Sequence, residues 1–302
     1  MKTNKIKLIM VASLLLLAWK TDRSLEKECS RIEKKRGEFA CLITRPDTGQ
    51  ISFVYNRRML FEERFCPGSL IKPFTLLSYV ASHPFDKDKT FNCKGFFHTK
   101  DRLCWLGEGH GRVDLVHAIA FSCNHYFMEL IKDKLKKRSF LRTLAEFGIK
   151  EDMTTISDTD FFKTAVGLGP FFRVKPVHLL LAFNTLFNRG ALYNIKGELI
   201  SRIEYNSDVI ECIREGMRGS YLYGTGKKIF DETKTKDMMC KTGTGMAFEK
   251  GKVDYKNTVG WVIVFFPSYE PTFSMLVLVR NGTGSEHASI IASEILDIVT
   301  EK

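Results

Sequence analysis

With 44% hydrophobic residues in a chain of 302, there is apolar material for one large core or two small ones, which excludes a disordered tail. The formal net charge of +11 would suit an anionic partner, yet the 46 Lys and Arg are dispersed among 35 Asp and Glu. No Arg/Gly-rich arm, zinc-finger spacing or RNA-binding aromatic signature accompanies them, so the charge reads as a solvated basic surface and no nucleic-acid partner is expected.

Lys2, Lys5 and Lys7 precede an apolar run from Leu8 to Trp19, broken only by Ser13 and closed by Lys20. A bilayer span needs roughly 20 apolar residues, so this run is short for one and suits a signal-peptide core. No small-x-small cleavage site follows it, so residues 1–20 read as a signal peptide or as a short anchor in the inner membrane through residues 6–19. Either way the remainder is expected to be exported, to the periplasmic or another extracytoplasmic face. Residues 21–38 are dense in charge and read as a linker or short helix.

Phe39 to Ile43 and Ile51 to Tyr55 are β-prone runs around a Pro46-Asp47-Thr48-Gly49 turn, which predicts a hairpin. After it, Cys66-Pro67-Gly68-Ser69-Leu70-Ile71-Lys72-Pro73-Phe74 carries a turn signal and then apolar residues at helical intervals to Ser82. On a helix starting there, the Lys72 amine shares a face with the Ser69 hydroxyl, and the positive end of the helix dipole favours alkoxide character. Spacing alone is weak, since about one Ser-x-x-Lys is expected by chance in a chain of this size. Ser24 and Lys27 form such a decoy.

Pro84 to Gly111 has no stable period and reads as a long loop. Val113 to Phe121 and Tyr126 to Leu144 read as helices, with Lys132 to Arg138 on the wet face of the second. Between them, Ser122-Cys123-Asn124 either presents two polar side chains from a rigid break or caps the next helix, and the tripeptide alone favours the cap. Pro176 opens a helix that Gly190 closes, and Glu211 to Arg218 is a short helix leading into Gly224-Thr225-Gly226. Asp237 to Thr244, Thr258 to Phe266 and Phe273 to Arg280 read as strands, and Glu286 to Val299 as an amphipathic helix. The first of these strands holds Lys241-Thr242-Gly243-Thr244, a cation and two hydroxyls around a position where a ligand backbone can lie close.

The eight cysteines contain no Cys-x-x-Cys pair, and no His/Cys group has zinc-ligand spacing, so no metal is read. Cys93 and Cys104 bracket a loop-like stretch and form a candidate disulfide in an oxidising compartment, against the alternative of small buried hydrophobes.

Ser69-x-x-Lys72, Ser122-x-Asn124 and Lys241-Thr242-Gly243-Thr244, in that order, resemble the three-motif set of the penicillin-recognising serine enzymes. Finer features resemble the transpeptidase domain of the monofunctional, class B-like penicillin-binding proteins: Pro67 to Phe74, Gly109 to Leu115 with Ser122 to Phe127, Asn188-Arg189-Gly190, Asp47-Thr48-Gly49 and Trp261. The resemblance covers Phe39 to Val299. It implies an α/β fold of the α+β type, β-lactamase/transpeptidase-like, with an antiparallel sheet flanked by helices and an inserted, mostly helical lobe. A transpeptidase domain over 39–302 would divide into an α/β lobe (about 39–82 and 205–302) and a helical lobe (about 83–204).

The resemblance also implies penicillin binding and acyl transfer on peptidoglycan stem peptides ending in D-alanyl-D-alanine, in cell-wall cross-linking. Ser69 would be the nucleophile and Lys72 its base, with a pKa lowered by nearby cations such as Lys241. Ser122, bridging Lys72 and Lys241, would relay a proton to the departing amine. Asn124, Thr242, Gly243 and Thr244 would bind substrate, with backbone N–H groups of Ser69 and Thr244 as the oxyanion hole. No metal or organic cofactor is implied, and the partners would be stem peptides, β-lactam antibiotics and other cell-wall enzymes at the membrane. His110 and the Gly167 to Pro170 turn read as scaffold. No pedestal or glycosyltransferase domain is expected ahead of Ser69. A D,D-carboxypeptidase, an endopeptidase or a serine β-lactamase uses the same motifs, and a penicillin-sensing or scaffolding module is the non-enzymatic alternative.

Overall fold

The computed structural model describes residues 23–95, 104–132, 134–150, 156–249 and 252–300. The segment read as signal or anchor lies outside them; among the described residues, no helix is long and apolar enough to cross a membrane. The charged stretch that follows is a helix, α1 (residues 23–36), the second of its two readings from sequence. Leu25, Cys29 and Ile32 are buried at helical spacing, a narrow apolar stripe hidden among charges.

A hairpin of β1 (Phe39–Thr44) and β2 (Ile51–Tyr55) forms as its turn predicts, followed by α2 (Arg57–Phe61). The serine motif splits into a 3₁₀ turn, Gly68–Ile71, and α3 (Lys72–Val80), because Pro73 at the second helical position tolerates the missing N–H. The stretch read as a loop contains an antiparallel ribbon of β3 (Phe91–Cys93) and β4 (Gly111–Val113). Then come α4 (Leu115–Ala120), α5 (Asn124–Ile131) and α6 (Lys137–Glu146). The single helix expected from Tyr126 to Leu144 is thus two: the chain leaves the helical region at Lys132, where Lys132, Lys134 and Lys136 leave only Leu135 to bury.

Next are α7 (Asp158–Ala165), α8 (Pro176–Phe187), β5 (Ala191–Tyr193), β6 (Leu199–Arg202), α9 (Ser207–Leu222) and α10 (Lys227–Glu232). At 16 residues α9 is longer than expected, and Asn206 caps it by accepting the Asp208 amide at 2.8 Å. The chain ends in β7 (Met239–Glu249), β8 (Lys252–Phe266), β9 (Phe273–Arg280), a π-turn at Gly284–Ala288 and α11 (Ser289–Thr300).

The main sheet has the order β2-β1-β9-β8-β7, antiparallel throughout. Its central strands are apolar on both sides because both faces are covered. Val262, Val264 and Val277 pack with α1 and α11, through Cys29, Ile32, Ile291 and Ile295. Trp261, Ile263, Phe265 and Leu276 face the larger core with α3 and α8. Within that core the Phe74 ring of α3 meets Phe147 and Phe183 edge-on, each at 5.3 Å. Residues Lys72 to Tyr79 are all buried, so α3 is enclosed on every side within the larger core.

Candidate active site

Ser69 stands on the 3₁₀ turn because Gly68 allows it. Gly68 has φ +55°, and a Cβ there would lie 2.7 Å from the Thr244 backbone nitrogen, so the turn can abut β7 only with glycine. That contact brings the Ser69 peptide beside Thr244. The preceding residue is tied to the sheet from below, where the buried Trp261 indole donates to the Cys66 carbonyl at 2.9 Å. Trp261→Phe leaves that carbonyl unpaired and is expected to cost about 1–3 kcal/mol, read as a lower thermal midpoint.

Lys72 sits one turn further on and is fully buried. Its Nζ donates to Ser69 Oγ at 3.0 Å, to the Ser122 carbonyl at 2.7 Å, to Asn124 Oδ1 at 2.6 Å, and lies 3.3 Å from Ser122 Oγ. Ser122 Oγ also accepts from the fully buried Lys241 Nζ at 2.8 Å, so the hydroxyl bridges the two amines. Burial is the first cause of a Lys72 pKa pushed down to about 7, with the Cys123 and Cys104 thiols opposing it. Lys241 is held well below the ordinary lysine range, by burial first and by Lys72 second. Desolvation, more than the neighbouring cation expected from sequence, is therefore what lowers the Lys72 pKa.

Ser122-Cys123-Asn124 is a rigid break, and its hydroxyl caps nothing. Ser122 adopts φ +54°, a left-handed geometry that costs a non-glycine residue about 1–2 kcal/mol. The N-cap of α5 is Cys123, with no side-chain cap bond, and Asn124 is the first helical residue. The strained turn aims Ser122 and Asn124 at Lys72.

On β7, Thr242 Oγ1 donates to Thr225 Oγ1 at 2.6 Å, and Thr244 Oγ1 accepts the Gly284 amide at 3.1 Å. Ser69, Ser122, Asn124, Thr242, Gly243 and Thr244 line one cleft of about 320 Å³. The two lysines lie buried behind it, each bonded to a lining hydroxyl. All the sequence-selected residues therefore meet at one place. Trp105, Thr225, Thr283 and Ser285 complete the wall and were not selected from sequence. Gly167 and Leu168, read as scaffold, line the cleft too, with Gly167 packed on the Gly68–Ser69 peptide. None of the described lining residues is a carboxylate.

A second cluster stands directly behind Ser122. The sulfurs of Cys93, Cys104 and Cys123 and an imidazole nitrogen of His110 lie within 4.8 Å of one another. All eight cysteines are free thiols, so the Cys93–Cys104 disulfide considered from sequence is not formed. These four donors form a group that could hold a metal ion, and short ligand spacing in the sequence does not reveal it. The four residues are scattered along the chain and converge only when β3, β4 and the start of α5 pack together.

The family model for the penicillin binding protein transpeptidase domain matches residues 32–297. Among curated relatives, the chain is 25% identical over 292 residues to stage V sporulation protein D of Bacillus subtilis, covering 83% of this chain and 44% of that protein. It is 23% identical over 285 residues to the peptidoglycan D,D-transpeptidase MrdA of Haemophilus influenzae, covering 76% and 44%. The chain thus spans less than half the length of these relatives. In fold it is similar to the penicillin-binding protein PBP2 of Helicobacter pylori, solved in complex with MreC, with TM-score 0.75, 19% identity and coverage of 93% of this chain and 64% of that one. The transpeptidase domain of Burkholderia pseudomallei penicillin-binding protein 3 gives TM-score 0.71, 14% identity and coverage of 96% and 94%. With the three motifs assembled around one cleft and the family model spanning nearly the whole described chain, the protein belongs to the penicillin binding protein transpeptidase family.

Proposed function

We propose that the chain is a serine D,D-transpeptidase of peptidoglycan, working through an acyl-enzyme on Ser69. The observation that carries this reading is a buried lysine of pKa about 7 with its nitrogen 3.0 Å from the Ser69 hydroxyl. Neutral Lys72 takes the hydroxyl proton while the Ser69 oxygen bonds to the penultimate D-alanine carbonyl carbon of a stem peptide. The N–H groups of Ser69 and Thr244 receive the oxyanion that forms. The amide C–N bond then breaks, and Ser122, between the two amines, passes a proton to the departing D-alanine. An acceptor amine attacks the ester, releases Ser69 and leaves a cross-link. Asn124 holds the donor amide, and Lys241, Thr242 and Thr244 hold the terminal carboxylate.

The Haemophilus influenzae relative is named as a peptidoglycan D,D-transpeptidase, which supports the same substrate class here. The Helicobacter pylori complex with MreC supports a cell-wall protein as partner, and membership of the transpeptidase family supports an extracytoplasmic location. Purified protein is expected to bind a fluorescent penicillin as a long-lived covalent adduct at Ser69, visible on a denaturing gel and absent from Ser69→Ala. Equal labelling of both proteins overturns the nucleophile. Rapid hydrolysis of the drug assigns a β-lactamase instead. A stem-peptide donor with an added D-amino acid separates amine transfer from hydrolysis, the carboxypeptidase outcome.

A further inference from the structure

We propose that the ribbon of β5 and β6 is a docking site for a partner protein, which adds an extended, acidic and apolar segment as a third strand along β6. The ribbon has two strands, and among the described residues no further strand pairs with the outer edge of β6. All four residues of that strand, Leu199–Arg202, are exposed. Alternate N–H and C=O groups of an outer strand point away from its neighbour, so this edge offers ladder bonds to an incoming chain. At about 3.3 Å per residue, it suits a segment of about four to six residues.

The edge borders a cavity that can take an apolar side chain. Phe147, His178, Leu181, Leu192, Ile195 and Ile200 wall a space of about 160 Å³. It shares no lining residue with the cleft around Ser69. Ile200 is the extra residue of a bulge, because Tyr193 pairs with Leu199 and Leu192 with Ser201. It is 60% exposed and still forms a wall of the cavity. With Ile195 and Leu199, it makes three of the eight large apolar side chains left exposed among the described residues, all within six positions. Such clustering marks an interaction surface, where singly scattered apolar residues would not. The His178 pKa is lowered, by burial first and by Lys175 and Arg64 next, so the imidazole joins this wall in its neutral form.

The rim is basic. Lys175 lies three residues before His178 at the start of α8, Lys196 follows Ile195 in the turn, and Arg202 ends β6. Among the described residues none of the three forms an ion pair, and Glu198 in the same turn already accepts from Asn194 Nδ2 at 2.7 Å. These cations decide between occupants. Antiparallel pairing of two copies centred on Leu199 would bring Lys196 of one towards Arg202 of the other, and like charges facing across strands destabilise the pair. A bilayer would cover the exposed isoleucines but would leave the cavity and the ladder groups unfilled. An extended segment with an apolar residue for the cavity and carboxylates for the rim satisfies the edge, the cavity and the charge together.

The test uses the full chain and a fluorescent synthetic peptide, acetyl-Glu-Val-Glu-Phe-Glu-Val-Glu-amide. Its controls are the same peptide with alternate backbone nitrogens methylated, which cannot add to a strand edge, and a version with lysine in place of glutamate. By fluorescence anisotropy the acidic peptide is expected to saturate at one per chain, and both controls to bind at least 10-fold more weakly. Ile200→Ser and Lys196→Glu, both at exposed positions, should each weaken binding about 10-fold while the thermal midpoint stays at the wild-type value. Penicillin labelling of both variants should match wild type, since no residue of the ribbon lines the cleft. The proposal is overturned if the acidic peptide does not bind, if the methylated peptide binds as well, or if both variants bind like wild type. A dimer in sedimentation that Ile200→Ser abolishes, with no peptide binding, overturns it in favour of a second copy of the chain. Capture by phosphatidylethanolamine–phosphatidylglycerol vesicles that Ile200→Ser abolishes, again with no peptide binding, overturns it in favour of a lipid surface.

Discussion

Lys72→Met is expected to lower the rate of penicillin acylation at Ser69 by about 10²- to 10⁴-fold, the usual contribution of a positioned general base. Methionine keeps the length of the side chain in a fully buried slot, so the loss reports chemistry more than packing. The wild-type rate should also carry the titration of this group. Lys72 acts as a base only when neutral, and its pKa stands at about 7. Acylation should therefore be slow below that pH, rise as pH passes through it and level off above, until other groups titrate. Stopped-flow acylation followed from about pH 5 to 9 checks both points. A flat profile, or a Lys72→Met variant within a few-fold of wild type, removes Lys72 as the base.

Gly68→Ala should be nearly as damaging, although no atom of Gly68 reacts. The residue has φ +55°, and an added Cβ would lie 2.6 Å from the Thr244 carbonyl carbon and 2.7 Å from its nitrogen. Neither the 3₁₀ turn nor the β7 backbone is a flexible end that can swing aside. The two must separate, and the N–H groups of Ser69 and Thr244 separate with them. Loss of one oxyanion donor costs about 10²- to 10³-fold, and that is the expected fall in acylation rate. The strain should also destabilise the fold by about 1–3 kcal/mol. A thermal melt and an acylation time course on the same preparation separate the two effects: a folded protein with slow acylation supports the oxyanion geometry, and a folded protein with wild-type acylation refutes it.

Ser69, Lys72 and the Lys-Thr-Gly-Thr strand were legible as candidates because each is a short run whose local structure places its side chains. Ser69 and Lys72 share a face as soon as a helix begins there. The order of the three motifs then tied them to one family before any coordinates. Less local features were misread. The long helix through Lys132 breaks because burial, and not spacing, decides where α5 ends. The buried stripe of α1 is narrow enough to vanish beneath its charges.

The cysteines show the limit most plainly. Searching for metal ligands by short spacing found nothing, since no two of Cys93, Cys104, His110 and Cys123 are near neighbours in the chain. Their convergence depends on the pairing of β3 with β4 and on where α5 starts, both of which are long-range events. Lys72 tells the same story in electrostatics. Its candidate role could be read from a motif, but its lowered pKa follows from complete burial beneath Ser122 and Asn124.

By itself, then, the sequence determined the fold class, the family resemblance and the three motifs that meet at the cleft, because those rest on turns, periodicity and short motifs carried within single elements. Tertiary structure alone decided how dry the two lysines are, which residues wall the cleft and which thiols meet behind Ser122. Desolvation and metal-ligand geometry belong to contacts between distant segments, and no local pattern encodes them.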